Sequence, residues 1–201
     1  GDVFKIFCDP QNNIWLISNR GMLDRLSASD IASGNFHFLH LLPAVKRETG
    51  GTFNSTTVFL VDHQNYCWLG TFEDGLYRFK FSQDFRVENA THYNNNPASN
   101  RTLPDNGCWS ICEISDHTIW VGTASGVSRW NPLQENFSVV NGKNSDFDLT
   151  GVNAVSEDQN MVVWLSNTSD TLFAIDRKSG TIKKAVLKDK SRKPDYKLYI
   201  N

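Results

Sequence analysis

Ile119-Trp120-Val121-Gly122-Thr123 recurs along the chain in three further copies. Cys67-Trp68-Leu69-Gly70-Thr71 is the closest. Ile14-Trp15-Leu16-Ile17-Ser18 and Val163-Trp164-Leu165-Ser166-Asn167 are looser. Each reads apolar, tryptophan, apolar, then two small residues. The four tryptophans are spaced 53, 52 and 44 residues apart, the period of repeat architectures built from one supersecondary unit per copy.

Aligning the copies on tryptophan brings further positions into line. Nine residues earlier stand Ile6, Phe59, Ile111 and Val155. Six residues earlier stand Asp9, Asp62, Ile114 and Asp158. Aspartate at the head of a polar stretch between two apolar runs predicts a hairpin turn, because its carboxylate accepts hydrogen bonds from the turn's own backbone N–H groups. After each tryptophan comes a polar loop and then an apolar pair spaced by three: Leu23 and Leu26, Leu76 and Phe79, Val127 and Trp130, Leu172 and Ile175. Arg25, Arg78 and Arg129 precede the second member in the first three copies. Because these arginines recur with the repeat, they read as structural. A second turn and a short apolar-aromatic run follow, starting near Phe36, Phe85, Phe137 and Ile182. Each copy therefore holds four strand-like pieces, called a to d in chain order. No helical periodicity is apparent in any of them, which predicts an all-β chain.

Four strands per 45–50-residue unit is the blade of a β-propeller. The predicted fold is a β-propeller of four-stranded antiparallel blades, about four blades being present. The blades span roughly 3–42, 57–90, 108–141 and 152–188, with 196–201 starting a further blade, in one partial propeller domain over 1–201. The tryptophan lies in strand b, buried between neighbouring blades, so the strand reads as an apolar run. The small residues after it suit the crowded zone where strands converge.

Composition narrows the function classes. The 201 residues are 39% hydrophobic, 21% charged and 12% aromatic, and the net charge is −2. No strong field favours nucleic acid or an anionic membrane, and no apolar run approaches the roughly 18 residues of a membrane span. The densest basic cluster, Lys183 to Lys193, reads as a guarded strand edge. Cys108 and Cys112, four apart on a strand, are about 13 Å from each other, too far for a disulfide. No C-x-x-C or His pair has ligand spacing, so no metal and no cofactor are expected. His37, His40, His63, His92 and His117 lie outside any helical context, and neither a phosphate-binding glycine loop nor a G-x-S-x-G elbow occurs.

Asp62, Trp68-Leu69-Gly70-Thr71 and Gly75-Leu76-Tyr77-Arg78-Phe79 together resemble the two-component regulator propeller repeat. The linker Tyr93 to Asn106 resembles that family's stretch between blades, with its Asn-Pro and Ser-Leu elements. The second and third copies match best; the fourth lacks the Gly-Thr, the Gly and the Arg. The resemblance implies the extracytoplasmic, periplasmic sensor of a Bacteroidetes-type hybrid two-component histidine kinase, anchored in the inner membrane and responding to glycan fragments to control transcription. It implies seven-bladed propellers, followed in the parent by a membrane helix, a kinase and a response-regulator module. A seven-bladed ring needs about 300–350 residues, so part of a propeller is expected, with the remaining blades elsewhere in the same parent chain. A homodimer in the parent is a further expected partner.

Sugars bind through planar polar side chains and an aromatic platform. The b–c loops and the d–a linker, which open on one face of a propeller, offer Arg20, Phe72, Glu73, Asp74, Tyr93, Asn94, Arg101, Asp105 and Asn106 as candidate ligand-binding residues for an oligosaccharide. The same side chains also serve as solubilising turn residues. Two carboxylates about 5–9 Å apart are the apparatus of glycoside hydrolysis, yet no catalytic residue is assigned and the segment is read as non-enzymatic. A protein-interaction scaffold and a glycan-active propeller enzyme are the alternatives.

Overall fold

The computed structural model describes residues 5–18, 22–51, 53, 55–140 and 147–185. Arg20 and the expected strand over 196–201 lie outside the described residues. Among the described residues, sixteen strands form four antiparallel four-stranded sheets, each with its strands in chain order. The first sheet is β1 (Lys5–Cys8), β2 (Ile14–Ser18), β3 (Met22–Leu26) and β4 (Leu39–His40). The second is β5 (Thr56–Val61), β6 (Cys67–Thr71), β7 (Leu76–Phe81) and β8 (Val87–Tyr93). The third is β9 (Cys108–Glu113), β10 (Ile119–Thr123), β11 (Gly126–Asn131) and β12 (Asn136–Val139). The fourth is β13 (Val152–Glu157), β14 (Val162–Asn167), β15 (Leu172–Asp176) and β16 (Thr181–Ala185). These are blades of a partial β-propeller, as the repeat predicts.

The predicted aspartate turns are present in three sheets. Asp9 Oδ1 accepts from the backbone N–H of Gln11 and Asn13 at 3.0 and 2.9 Å. Asp62 Oδ1 does the same for Gln64 and Tyr66, and Asp158 Oδ1 for Asn160 and Val162. The other carboxylate oxygen reaches the indole N–H of the repeat tryptophan: Trp15 to Asp9 at 2.8 Å, Trp68 to Asp62 at 2.8 Å, Trp164 to Asp158 at 2.9 Å. One side chain thus closes the a–b hairpin and satisfies the only polar atom of the tryptophan buried beside it. The bond from Trp164 is the main reason that the Asp158 carboxyl is held below the usual range. In the third sheet Ile114 stands in place of the aspartate, and Trp120 Nε1 makes only a 3.3 Å bond to Thr118 Oγ1.

Strands β6 and β10 are buried along their whole length, as a strand packed on both faces should be. Their glycines mark close approach. A Cβ on Gly70 would meet Val58 Cγ2 and lie 2.8 Å from Cys108 Cβ; one on Gly122 would meet Ser110 Oγ and lie 2.6 Å from the Val152 carbonyl oxygen. The threonine after each glycine is buried, and its hydroxyl donates across the b–c turn, Thr71 to the Gly75 carbonyl at 3.0 Å and Thr123 to the Gly126 carbonyl at 2.9 Å. The Gly-Thr pair is therefore a packing and turn-closing device.

Two features depart from the sequence expectation. The described residues include two short helices, α1 (Ala28–Ser33) and α2 (Leu42–Thr49). Ser27 caps α1 by accepting from the Asp30 N–H, and left-handed Gly34 and Gly50 end the two helices. Helix α2 buries only Leu42 and Val45, too few apolar positions for a 3.6-residue period to stand out. The run expected near Phe36 contributes just two paired residues, Leu39 and His40, and Phe36 itself is exposed.

By internal contact the chain divides into two compact units, Gly1–Asn95 with Asn106–Cys108, and Asn96–Asp105 with Trp109–Asn201. The first unit is centred on Trp15, Ile17, Leu23, Phe53, Leu69 and Phe79, with α2 supplying Leu42 and Val45. The second is centred on Trp120, Val127, Val152, Leu165, Phe173 and Ile175. All four cysteines are free, Cys67 and Cys108 being buried and Cys8 exposed. Burial pushes the Cys112 thiol up to about 11.

Candidate functional site

The first unit gathers six of the nine candidate residues at the b–c end of the second sheet. Thr71 Oγ1 accepts from the Asp74 N–H at 2.8 Å, folding Phe72-Glu73-Asp74 into a tight loop. Phe72 is 51% exposed, and Glu73 is exposed beside it. Asp74 accepts from the Tyr77 hydroxyl at 2.7 Å. Burial, then the bond to Asp74, raises the Tyr77 hydroxyl well above the usual phenol range, so it stays a donor.

His92 completes this corner. It pairs with Tyr77 across β7 and β8, and its ring stacks on the phenol at 3.9 Å with the planes 9° apart. Its Nε2 lies 2.6 Å from the Asp74 carbonyl oxygen, and its Nδ1 lies 3.5 Å from Asn94 Nδ2. A carbonyl only accepts, so Nε2 carries the proton and Nδ1 faces the amide donor. Tyr77 and His92 were not among the sequence candidates. Cross-strand register joins them, and no local motif marks it.

Asn106 acts as a clip. Its carbonyl accepts from the Gly75 N–H at 3.0 Å, and its Oδ1 accepts from the Asn95 N–H at 2.7 Å. Gly75 is left-handed, and a Cβ there would strike the Tyr93 carbonyl oxygen. Tyr93 lies with its ring stacked at 6.2 Å on the buried Trp68, so one aromatic face is already committed. Phe72 is the more exposed ring at this edge.

Arg101 and Asp105 belong to the second unit. Arg101 is exposed, and its backbone carbonyl accepts from the Phe137 N–H. Asp105 Oδ2 accepts from Ser125 Oγ at 2.7 Å, in the b–c turn of the third sheet. The corresponding turn of the fourth sheet is organised by Asn167, whose Oδ1 accepts from the Ser169 and Thr171 N–H groups.

Each unit also has a cleft at the other end of its strands, where a–b and c–d turns of adjacent sheets meet. In the first unit it measures about 350 Å³ and is lined by Asn13, Trp15, Arg25, Phe81 and Phe85. Arg25 Nη2 donates to Asn13 Oδ1 at 2.7 Å, and its guanidinium lies 5.8 Å from the centre of Trp15 and 5.3 Å from that of Phe85. In the second unit the cleft measures about 400 Å³ and is lined by Asp116, Trp120, Arg129, Met161, Arg177 and Lys178, among others. Arg177 is held there by Asp116, Glu157 and the Ser115 hydroxyl. Burial pushes the Glu157 and Asp116 carboxyls up, but hydrogen bonds from Ser115 and Thr118 respectively, with Arg177 acting on both, outweigh it and leave both below the usual range.

Residues 102–125 match the model of the two component regulator propeller. No curated protein sequence matches the chain. Among solved structures, the fold is similar to the extracellular domain of a protein described as a hybrid two component system of B. thetaiotaomicron. The TM-score is 0.67 at 16% identity, over 92% of this chain and 24% of that one. It is also similar to virginiamycin B lyase of Staphylococcus aureus, with a TM-score of 0.64 at 12% identity over 94% and 57%. PorZ, a surface component of the type-IX secretion system of Porphyromonas gingivalis, gives 0.63 at 12% over 90% and 26%. The chain thus spans about a quarter of the first of these structures and just over half of the second. At these identities the likeness is one of fold. The tryptophan-centred repeat is accordingly a propeller blade, and residues 102–125 match the two-component regulator propeller repeat.

Proposed function

We propose that this chain is a ligand-sensing propeller segment from the extracytoplasmic, periplasmic part of a hybrid two-component sensor histidine kinase. In this reading the parent responds to glycan fragments, signals across the membrane and controls transcription, while the segment catalyses nothing. The observation that carries it is the match of residues 102–125 to the regulator propeller repeat, a stretch that runs from the d–a linker through the third tryptophan to Ser125. No helix among the described residues is long and apolar enough to cross a membrane, so signalling requires other parts of a parent, and further blades and a homodimeric parent belong to the proposal.

The oligosaccharide would meet Phe72, Glu73 and Asn94 at the first unit's b–c edge. Asp74, Tyr93 and Asn106 hold that edge in shape through Tyr77, Trp68 and Gly75. The likeness to a lyase supports the fold alone and supplies no residue for bond cleavage. Thermal-shift measurement against a panel of oligosaccharides tests the reading. A saccharide that raises Tm for the wild type and not for Phe72→Ala is expected. A flat response across the panel would remove glycan sensing from this segment, and released product on prolonged incubation would replace the sensor by an enzyme.

A further inference from the structure

The repeat arginine of strand c meets different fates in the two units. Arg25 is fully engaged by Asn13 and by the rings of Trp15 and Phe85. Arg129 occupies the same place, opposite Trp120 in the register of β10 and β11, but both of its counterparts have changed. Thr118 stands where Asn13 would accept. Gly180 stands where Phe85 would cover; each is the left-handed residue near the end of its c–d turn, at φ 58° for Phe85 and 67° for Gly180. Arg129 is exposed, and among the described residues its guanidinium has no hydrogen bond or ion pair.

The rest of the second unit's cleft adds to this. Its floor is apolar, from Trp120, Ile175 and Ile182, and Met161, 43% exposed, stands at its rim. The acids nearby are already committed: Asp116 and Glu157 to Arg177, and Asp176 to the backbone N–H groups of Lys178 and Ser179. Lys178 lines the cleft; its charge acts on Asp176, but its ammonium makes no hydrogen bond or ion pair among the described residues. Two cations beside an apolar floor, in a cleft of about 400 Å³, match the size of a small-ligand site.

We propose that this cleft binds a small organic carboxylate. The planar guanidinium of Arg129 pairs with the carboxylate through two parallel N–H donors, a geometry that ammonium cannot offer. Lys178 adds charge, and the ligand's ring or alkyl body lies against Met161 and Ile182. An inorganic anion would leave that apolar floor uncovered. The site lies at the a–b and c–d turns, apart from the b–c edge of the sensing proposal, and it stands whether or not that proposal holds.

Fluorine NMR of 4-fluorobenzoate, with 4-fluorobenzamide as the neutral match of equal shape, tests it on the whole chain. The benzoate is expected to bind in the millimolar range or tighter and the amide about tenfold more weakly, a difference of about 1.4 kcal/mol. Arg129→Gln and Lys178→Gln should each weaken the benzoate several-fold, and neither side chain holds the fold together. Gly180→Phe should abolish binding by supplying the cover that Phe85 gives Arg25. Thermal melts of all three variants separate lost binding from lost fold. Equal binding of amide and benzoate, unchanged binding in Arg129→Gln, or no benzoate binding at millimolar concentration would each overturn the proposal.

Discussion

The two units meet the same local problems with different chemistry. In the first, both repeat tryptophans give their indole N–H to an aspartate, and the cleft between the a–b and c–d turns is filled by aromatic rings stacked on an arginine. In the second, only Trp164 has its aspartate, Trp120 makes a longer bond to a hydroxyl, and an ionic group fills part of the cleft: Arg177 with Asp116 and Glu157. The aspartate device acts inside one hairpin. The arginine device joins hairpins of two sheets, since Asp116 follows β9, Glu157 ends β13 and Arg177 follows β15. What the third hairpin lacks locally, the second unit supplies between sheets.

The contrast makes ordered predictions, each read by chemical denaturation. Trp68→Ala should be the most costly, about 3–5 kcal/mol, because Trp68 is fully buried. Trp164→Ala should cost less, since Trp164 is only partly buried. Equal losses would erase the distinction between fully and partly enclosed strands. Asp62→Ala comes next, at about 2–3 kcal/mol, because two turn N–H groups and an indole lose their acceptor together. Thr118→Val, which removes the weaker bond of Trp120, should cost under about 1 kcal/mol.

Arg177→Ala should cost about 1–2 kcal/mol at neutral pH, discounted for partial exposure. Its pH dependence carries the sign. The Glu157 and Asp116 carboxyls are depressed in the folded chain, so their contribution is present above the unfolded value of about 4 and is lost as pH falls through the lower folded values. The stability gap between wild type and Arg177→Ala should therefore close in acid, whereas a constant gap would show packing rather than charge. Phe85→Ala, like Thr118→Val, should have a small effect, up to about 1 kcal/mol for the loss of the ring over Arg25.

Much of this was legible from residue order. The spacing of Trp15, Trp68, Trp120 and Trp164 carries the four sheets, because each hairpin is a local object whose turn, apolar run and small pair lie within some twenty residues. The Asp turns were readable for the same reason. Helix α2 was not, since two buried residues make no period. The short β4 was not, since Phe36 resembles its counterparts while the chain around α1 takes it out of pairing. Of the candidate site, the loop carrying Phe72 to Asp74 was visible as a loop, but the commitments of Asp74, Tyr93 and Asn106 to structure were not.

The sequence by itself determined the repeat, the strand content, the turn chemistry and the resemblance to regulator propellers, because all of these act over short stretches of chain. Only the tertiary structure decided which repeat arginine is covered and which is bare, and which tyrosine carries a histidine. Arg25 and Arg129 sit in equivalent places on their own strands. What separates them, besides Asn13 against Thr118 nearby, is a residue fifty to sixty positions away, Phe85 in one unit and Gly180 in the other, brought alongside only when neighbouring sheets pack.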